Sequence, residues 1–244
     1  MSKPQVSPSS ADQLSSPVTT TRGRSVIRAV LFDWRGTLVV NLTEIEWVER
    51  ALAALGREVV GAAVEGITSA IARANGPENR LDAPGVDCDA ALHRRTFLDV
   101  LADAGLDAEL VDSPYAVESD PRNNAFAEDV LETFAALWIR DIRIAVVSDI
   151  HVDLRPAFDA AGLGELVDVF TLSFQQGVQK PDPLMFTRTL DALVVGPEEA
   201  LMVGDRSRPD GAAVESGIPT LLLPPLRSVD DRRLHHVLAL CGVR

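Results

Sequence analysis

The sequence predicts an α/β protein with a doubly wound parallel sheet, and two observations lead to that prediction. Short and nearly continuous apolar runs recur along the chain, as expected of parallel strands that helices cover on both faces. Helix-sized segments separate these runs, which favours right-handed crossovers within one sheet. The predicted strands are residues 26–32, 142–148, 166–173, 200–204 and 218–223. Ligands bind to such a sheet beyond the carboxyl ends of its strands.

The connections between the later strands are short enough for single helices, and glycines mark the ends of two of them. The predicted helices are residues 153–161, 183–193 and 208–216, with Gly162 and Gly217 as the stops. A C-terminal helix is predicted over residues 228–244. Its adjacent His235 and His236 cannot share one face, and both are expected at the surface.

The connection between the first two predicted strands is far longer than a single crossover helix. Residues 41–123 place apolar side chains at helical spacing, as in "EIEWVERALAALG", and are predicted to form a helical insert. A further helix over 124–140 then leads back to the sheet, so the predicted core consists of 25–40 and 124–227. The insert is expected to overhang the strand ends; a helical decoration without a role is the alternative.

The composition excludes several classes of function. The formal net charge of −13 argues against binding to nucleic acid or to an anionic membrane. Residues 1–24 are rich in Ser, Thr and Pro, lack the apolar run of a signal peptide, and are predicted to form a disordered tail. Cys88 and Cys241 lack paired spacing, which argues against a disulfide framework or a zinc site. A cytoplasmic protein is predicted, and its oligomeric state is left open.

Polar and charged residues follow four of the predicted strands. In chain order these are Asp33 with Gly36 and Thr37, Ser148 with Asp149, Lys180, and Asp205 with Asp210. An Asp or Ser at a strand end is individually more often a helix cap than a catalyst. Together these residues fall at one edge of one sheet, which capping does not require. The sequence therefore predicts a functional site at that edge.

Lys180 is unusual within this composition. Lys3 and Lys180 are the only lysines in the chain, and all other basic residues are arginine. A compact ammonium that contacts both a carboxylate and a phosphoryl oxygen would explain a lysine at this position. Chance is the alternative.

These four motifs resemble those of the haloacid dehalogenase-like (HAD) superfamily. The resemblance covers residues 26–224, and the helical insert after the first motif is similar to the small helical cap of that superfamily. It implies a Mg²⁺-dependent hydrolase of phosphoric monoesters or acyl phosphates, acting on a small phosphorylated metabolite. Asp33 would be the nucleophile that forms an aspartyl phosphate. Ser148 would bind the phosphoryl oxygens, and Lys180 would hold Asp33.

The resemblance also implies two sets of binding residues. The substrate-binding set is Arg35, Gly36, Thr37 and Asp149. The metal set is Asp33, Arg35 through its backbone carbonyl, Asp205 and Asp210, whose oxygen ligands suit Mg²⁺. The cap is expected to choose the substrate, and its candidates are Arg73, His93, Arg94 and Arg95, most of them expected at the surface.

Arg35 departs from the pattern of the superfamily, in which most phosphatases have a second Asp two residues after the nucleophile. That Asp protonates the leaving alcohol, which is typically worth ~10²–10⁴ in rate. A guanidinium cannot exchange protons at neutral pH. Arg35 is instead expected to pair with Asp149 or with an acid of the cap, or to bind a carboxylate or second phosphate of the substrate.

Three functional hypotheses follow from this departure. The first is a phosphatase restricted to good leaving groups such as acyl phosphates. The second is a non-catalytic phospho-ligand binder or regulatory pseudoenzyme. The third is a metal-independent enzyme similar to 2-haloacid dehalogenases, against which Asp205 and Asp210 argue because a site without metal has no use for them.

Overall fold

A computed structural model describes residues 26–243 of the chain, and the predicted N-terminal tail lies outside these residues. It contains a five-stranded sheet in the order β3-β2-β1-β4-β5, and every neighbouring pair is parallel. The strands are β1 Ala29–Phe32, β2 Arg143–Ser148, β3 Val169–Leu172, β4 Ala200–Gly204 and β5 Thr220–Leu222. The predicted α/β fold with a parallel sheet is confirmed.

Helices cover both faces of this sheet and form the long connection after β1. They are α1 Glu44–Ala54, α2 Gly61–Asn75, α3 Ala90–Asp103, α4 Ala108–Glu118, α5 Val130–Ile139, α6 Arg155–Ala160, α7 Ser173–Gln176, α8 Pro183–Leu193 and α9 His235–Leu240. The first four lie between β1 and β2, where the sequence predicts a helical insert. We define the helical insert of this structure as residues Glu44–Glu118.

The central strands are apolar at every position because each of their faces is buried in a different hydrophobic cluster. In β1, Val30 and Phe32 pack into the cluster that contains Phe134 of α5. The alternate residues Ala29 and Leu31 pack into a second cluster with α8 on the opposite face. Side chains alternate between the two faces of a strand, so β1 must be apolar throughout. The carboxyl end of β1 is therefore held rigidly in the middle of the sheet.

The predicted helix over 124–140 is wrong at its beginning. Helix α5 begins only at Val130, because the backbone of Ala125 and Ala127 bonds instead to Val40 and Leu38 in the segment after β1. The side-chain pattern predicts a helix here but contains no information about this distant pairing.

Two further predicted helices are shorter than expected. Within 208–216 the structure has only a 3-10 helix, Gly211–Ser216, because the preceding loop folds around the buried carboxylate of Asp210. Within 228–244 the helix is limited to His235–Leu240, because Asp231 accepts the amides of Arg227 and Ser228 and holds a turn before it. His235 and His236 are exposed, as predicted.

The helical insert has a hydrophobic cluster of its own, which includes Trp47, Val48, Phe97 and Leu101. The indole Nε1 of Trp47 donates to the carbonyl of Pro114 at 2.6 Å and joins α1 to α4. Because its side chains bury one another, the insert keeps its shape without being part of the sheet.

Two expectations from composition can be compared with the described residues. Cys88 and Cys241 are both free thiols. Within residues 26–243, none of the helices combines the length and the hydrophobicity that crossing a bilayer requires.

The packing of α5 allows a matched test of the fold. Leu137 is fully buried against β2, whereas Leu131 of the same helix is 53% exposed. We expect Leu137→Ala to lower the free energy of unfolding by about 2–5 kcal/mol, as for other buried leucines. Leu131→Ala removes the same atoms and should change it by less than about 0.5 kcal/mol. Urea denaturation of both variants measures the difference, and equal losses would contradict this packing.

Candidate active site

Asp33 lies directly after β1, and the loop that follows it depends on a glycine. The amide of Asp33 donates to the carbonyl of Val203 at 2.8 Å, which extends the pairing of β1 with β4. The chain then turns at Gly36, whose φ of +78° disfavours any other residue. A Cβ atom at this position would lie 2.5 Å from Oδ2 of Asp205. Gly36 thus lets the loop after β1 approach the loop after β4.

Lys180 joins these two loops through a buried ion pair with two carboxylates. Its Nζ lies 2.5 Å from Oδ1 of Asp33 and 2.6 Å from Oδ1 of Asp210. Burial alone lowers the pKa of the ammonium, but the charges of Asp33 and Asp210 outweigh this effect and raise the pKa above its usual value. Lys180 is therefore a fixed cation at neutral pH.

Asp210 accepts hydrogen bonds through both of its oxygens. Besides Lys180 on Oδ1, the amides of Asp205 and Arg206 donate to Oδ2 at 3.1 and 2.9 Å. A Cβ at Gly204 would overlap the Asp210 carboxylate, so that position in β4 requires glycine. These contacts make Asp210 the residue that shapes the loop containing Asp205.

Asp33, Asp205 and Asp210 form a cluster in which one oxygen of each lies within 4.8 Å of the others; we call it the acid cluster. Thr37 Oγ1 lies 3.4 Å from Asp33 Oδ2 and 3.5 Å from Asp205 Oδ1. Burial, together with the charges of Asp33 and Asp210, raises the pKa of Asp205 to about 6. Three carboxylates with one ammonium leave an excess of negative charge.

The acid cluster fits a magnesium ion by the chemistry of its donors. Mg²⁺ prefers oxygen ligands and is usually bound through one or two carboxylates with several waters. Asp33 and Asp205 offer such oxygens, and a divalent cation would offset the charges of Asp33 and Asp210, which add to burial in raising the pKa of Asp205. The predicted contribution of the Arg35 carbonyl stays a prediction.

Ser148 and Asp149 lie at the end of β2, beside the acid cluster. Asp149 Oδ1 accepts the backbone amide of Lys180 at 2.8 Å, and Oδ2 lies 3.5 Å from Nη2 of Arg206. Burial raises the pKa of Asp149, against the opposing attraction of Lys180 and Arg206. Asp149 thus fixes the backbone of Lys180, while the buried Ser148 lines the same pocket as Asp33.

This pocket, which we call the catalytic pocket, has a volume of about 160 Å³. Its lining contains five residues that the sequence predicts for the site: Asp33, Arg35, Ser148, Asp149 and Asp205. It also contains five residues that the sequence analysis missed: Asn41, Asp82, Asp87, Gln179 and Arg206. Arg206 directly follows Asp205 and could have been found from that position. Asp82 and Asp87 belong to the helical insert, and no sequence signal places them near the sheet.

The Arg35 side chain points from the catalytic pocket toward the helical insert. Its Nη1 donates to Oε1 of Glu118, at the end of α4, at 2.6 Å, and its Nε donates to Oδ1 of Asn124 at 3.3 Å. The expected pairing with an acid of the insert is therefore observed. Asp149, the other expected partner, pairs with Arg206 instead.

A larger cavity of about 310 Å³ lies in the helical insert beside Arg35; we call it the insert cavity. Its wall is partly apolar, from Trp47 and Phe97, and partly polar. Arg35, Asp82 and Asp87 line both this cavity and the catalytic pocket. Of the four candidate side chains in the insert, His93 is buried in the cavity wall, whereas Arg73, Arg94 and Arg95 are exposed.

A residue from the C-terminal segment supports the first loop. Arg233 Nη2 donates to the carbonyl of Thr37 at 2.8 Å and approaches that of Gly36 at 3.4 Å. The sequence gives no signal for this contact, because about 200 residues separate its partners. Arg233 thereby restrains the loop that carries Gly36.

Comparisons with known proteins agree with this geometry. A sequence model described as haloacid dehalogenase-like hydrolase matches residues 27–216. A ribulose-1,5-bisphosphate 5-phosphatase of Halopiger xanaduensis is 32% identical over 104 residues, or 42% of this chain and 44% of that protein. A phosphoserine phosphatase of Thermus thermophilus is 30% identical over 137 residues, or 54% and 55%. The chain spans about half the length of these curated relatives.

A solved structure has the same fold at lower sequence identity. It is a 2-haloacid dehalogenase of Pseudomonas syringae pv. Tomato DC3000, with a TM-score of 0.58 and 23% identity over 88% of this chain and 99% of that chain. At this identity the likeness concerns the fold alone. Because the family match spans most of the chain and includes the acid cluster and Lys180, the protein belongs to the haloacid dehalogenase-like hydrolases.

Proposed function

We propose that this protein is a Mg²⁺-dependent phosphatase that acts on a small phosphorylated metabolite through an aspartyl phosphate. The observation that carries the proposal is the acid cluster around Lys180, at the carboxyl edge of the sheet. Two curated relatives of the chain are named as phosphatases of a sugar bisphosphate and of phosphoserine, which supports a small phosphorylated substrate.

Each residue of the catalytic pocket has a role in this proposal. Asp33 attacks the phosphorus and displaces the leaving group, and water then hydrolyses the aspartyl phosphate to release inorganic phosphate. Lys180 holds the other oxygen of Asp33 and offsets the negative charge that develops. Ser148, with the amides near Gly36 and Thr37, binds the phosphoryl oxygens. Asp149 positions Lys180 through the backbone amide of that residue.

Asp33 and Asp205 would hold the magnesium ion. Asp210 would orient Asp205 by accepting a hydrogen bond from its backbone amide. When bound, Mg²⁺ neutralises phosphoryl charge and orients the group to be transferred. Gly36 leaves the space that lets Asp205 face Asp33, so the loop itself keeps these two carboxylates within reach of one cation.

Proton transfer to the leaving group is where this site differs from most phosphatases of the family. Arg35 replaces the usual acid, and its guanidinium is already bound to Glu118 and Asn124. A substrate whose leaving group departs as a stable anion needs no such proton. We therefore propose acyl phosphates or similarly activated esters as the substrates.

We also propose that residues 41–123 act as a cap over the core formed by 25–40 and 124–227. The insert contributes Asp82 and Asp87 to the catalytic pocket, and Arg35 bonds to Glu118 across the boundary. The insert cavity, adjacent to this boundary, has a size suited to the leaving group of a small metabolite.

The first prediction concerns turnover of acetyl phosphate and p-nitrophenyl phosphate. We expect Mg²⁺-dependent phosphate release that chelator abolishes and that Asp33→Asn reduces at least ~10³-fold, as for other covalent nucleophiles. Asp191→Asn removes an exposed carboxylate on α8 and should leave the rate unchanged. Halide release from a 2-chloro acid without metal would support the dehalogenase alternative. Phosphate binding without turnover would support the non-catalytic alternative.

The second prediction concerns Arg35→Asp, which supplies the missing acid. We expect the rate on an alkyl phosphate to rise at least ~10-fold relative to the rate on acetyl phosphate, because only the alkoxide needs protonation. Arg35→Ala breaks the same bond to Glu118 without supplying an acid, and it should not change this ratio. If both variants raise the ratio equally, release of the insert and not proton transfer would explain the gain.

A further inference from the structure

A second cluster of metal-binding side chains lies where the helical insert meets the core. Asp87 belongs to a 3-10 turn of the insert, Val86–Cys88; His93 lies on α3, and His151 follows β2. Oδ1 of Asp87 is 3.7 Å from Nε2 of His93 and 3.8 Å from Nδ1 of His151. One ligand atom from each residue lies within 4.8 Å of the others, and we call these residues the histidine cluster.

The two imidazoles of this cluster are buried and stack face to face, with no hydrogen bond between them. Their rings stack with centroids 3.3 Å apart and planes 8° apart, and each residue is only 2% exposed. Within the described part of the chain, Nδ1 of His93 and Nδ1 of His151 have no hydrogen-bond partner. The carboxylate of Asp87 is too distant for a hydrogen bond to either ring. Buried polar atoms without partners are costly and rare.

Each member of the cluster contacts a neighbouring residue. Ser119 Oγ lies 3.1 Å from Nε2 of His151, so a proton on Nε2 leaves a free lone pair on Nδ1, the atom 3.8 Å from Oδ1 of Asp87. His93 stacks on Phe97 at 4.2 Å on its other side. The backbone carbonyl of Asp87 accepts the hydroxyl of Ser173 at 2.7 Å, which docks its turn onto the core.

The protonation states also suit a metal ion. Burial, followed by the neighbouring His151, lowers the pKa of His93 to about 3, so this ring is neutral at pH 7. Burial opposes ionisation of Asp87, but its interactions with His151 and His93 hold the pKa of this carboxyl below its usual value. Metal ions bind the neutral form of imidazole and the ionised form of a carboxyl group.

We propose that Asp87, His93 and His151 bind a divalent transition-metal ion of the zinc class. Tetrahedral zinc with bonds of about 2.0–2.1 Å places its ligand atoms about 3.3 Å apart, so the distances from Asp87 to the two rings need to contract by about 0.5 Å. One of the stacked imidazoles must also rotate, because an ion cannot lie in the planes of two parallel rings 3.3 Å apart. Asp87 and His93 line the insert cavity, which leaves a fourth position open to water from that cavity. None of the three ligands is a cysteine, so cysteine spacing gives no sign of this site.

This site is chemically distinct from the acid cluster. Imidazole nitrogens favour zinc and similar ions, whereas the all-carboxylate acid cluster favours magnesium. Its ligands come from both parts of the chain, since His151 follows a strand of the core and the other two belong to the insert. The bound ion therefore ties the insert to the core.

The test uses Co²⁺ as a spectroscopic substitute for zinc, added to the full-length protein in excess Mg²⁺. We expect one equivalent to bind with the intense visible absorption of a four-coordinate nitrogen–oxygen site. His93→Gln and His151→Gln should each abolish this band. His235→Ala/His236→Ala is the matched control, because it removes the other two of the four histidines in the chain, both exposed, and should leave the band unchanged.

Ser119→Ala keeps all three ligands, so its effect on Co²⁺ binding tests the site even if the histidine variants fail to fold. Loss of the partner of His151 Nε2 should weaken Co²⁺ binding by about 10- to 100-fold. Absence of the band from the wild-type protein would overturn the proposal. A band that persists in His93→Gln and His151→Gln, or one that His235→Ala/His236→Ala removes, would also overturn it.

Discussion

The ammonium of Lys180 lies between the carboxylates of Asp33 and Asp210, and the arrangement of the catalytic pocket depends on this contact. It joins the loops after β1, β3 and β4 at a point that solvent does not reach. Removing one partner of such a buried pair typically costs 3–5 kcal/mol, because the remaining charge has no compensation. Two neighbouring residues help to maintain this contact. Asp149 accepts a hydrogen bond from the Lys180 amide, and Gly204 leaves space for the Asp210 side chain.

Arg35 connects the chemistry of this pocket to the helical insert. Most phosphatases of the family have at this position an acid that protonates the leaving group. In this protein the guanidinium of Arg35 bonds instead to Glu118 and Asn124. The histidine cluster forms a second connection between the same two parts of the chain. Both connections favour an insert that stays docked over the strand ends, which suits a small substrate with a good leaving group more than a bulky one.

Much of the catalytic pocket could be predicted from the sequence, because apolar runs locate the strand ends and parallel strands bring those ends together. That reasoning found Asp33, Lys180 and Asp205. It missed Arg233 and named only His93 of the histidine cluster, because these contacts form only through the orientation of the insert and the C-terminal segment. The error at residues 124–129 has a similar origin, since their backbone pairs with a segment that is distant in sequence.

The most direct test of this account is to identify the residue that becomes phosphorylated. The protein is mixed briefly with acetyl phosphate and Mg²⁺, quenched with borohydride, digested and examined by mass spectrometry; borohydride reduces an aspartyl phosphate to homoserine. We expect homoserine at position 33 in a time-dependent fraction of the molecules, and none when Mg²⁺ is replaced by chelator. Homoserine at another aspartate, or unmodified Asp33 during sustained phosphate release, would contradict the central role of Asp33.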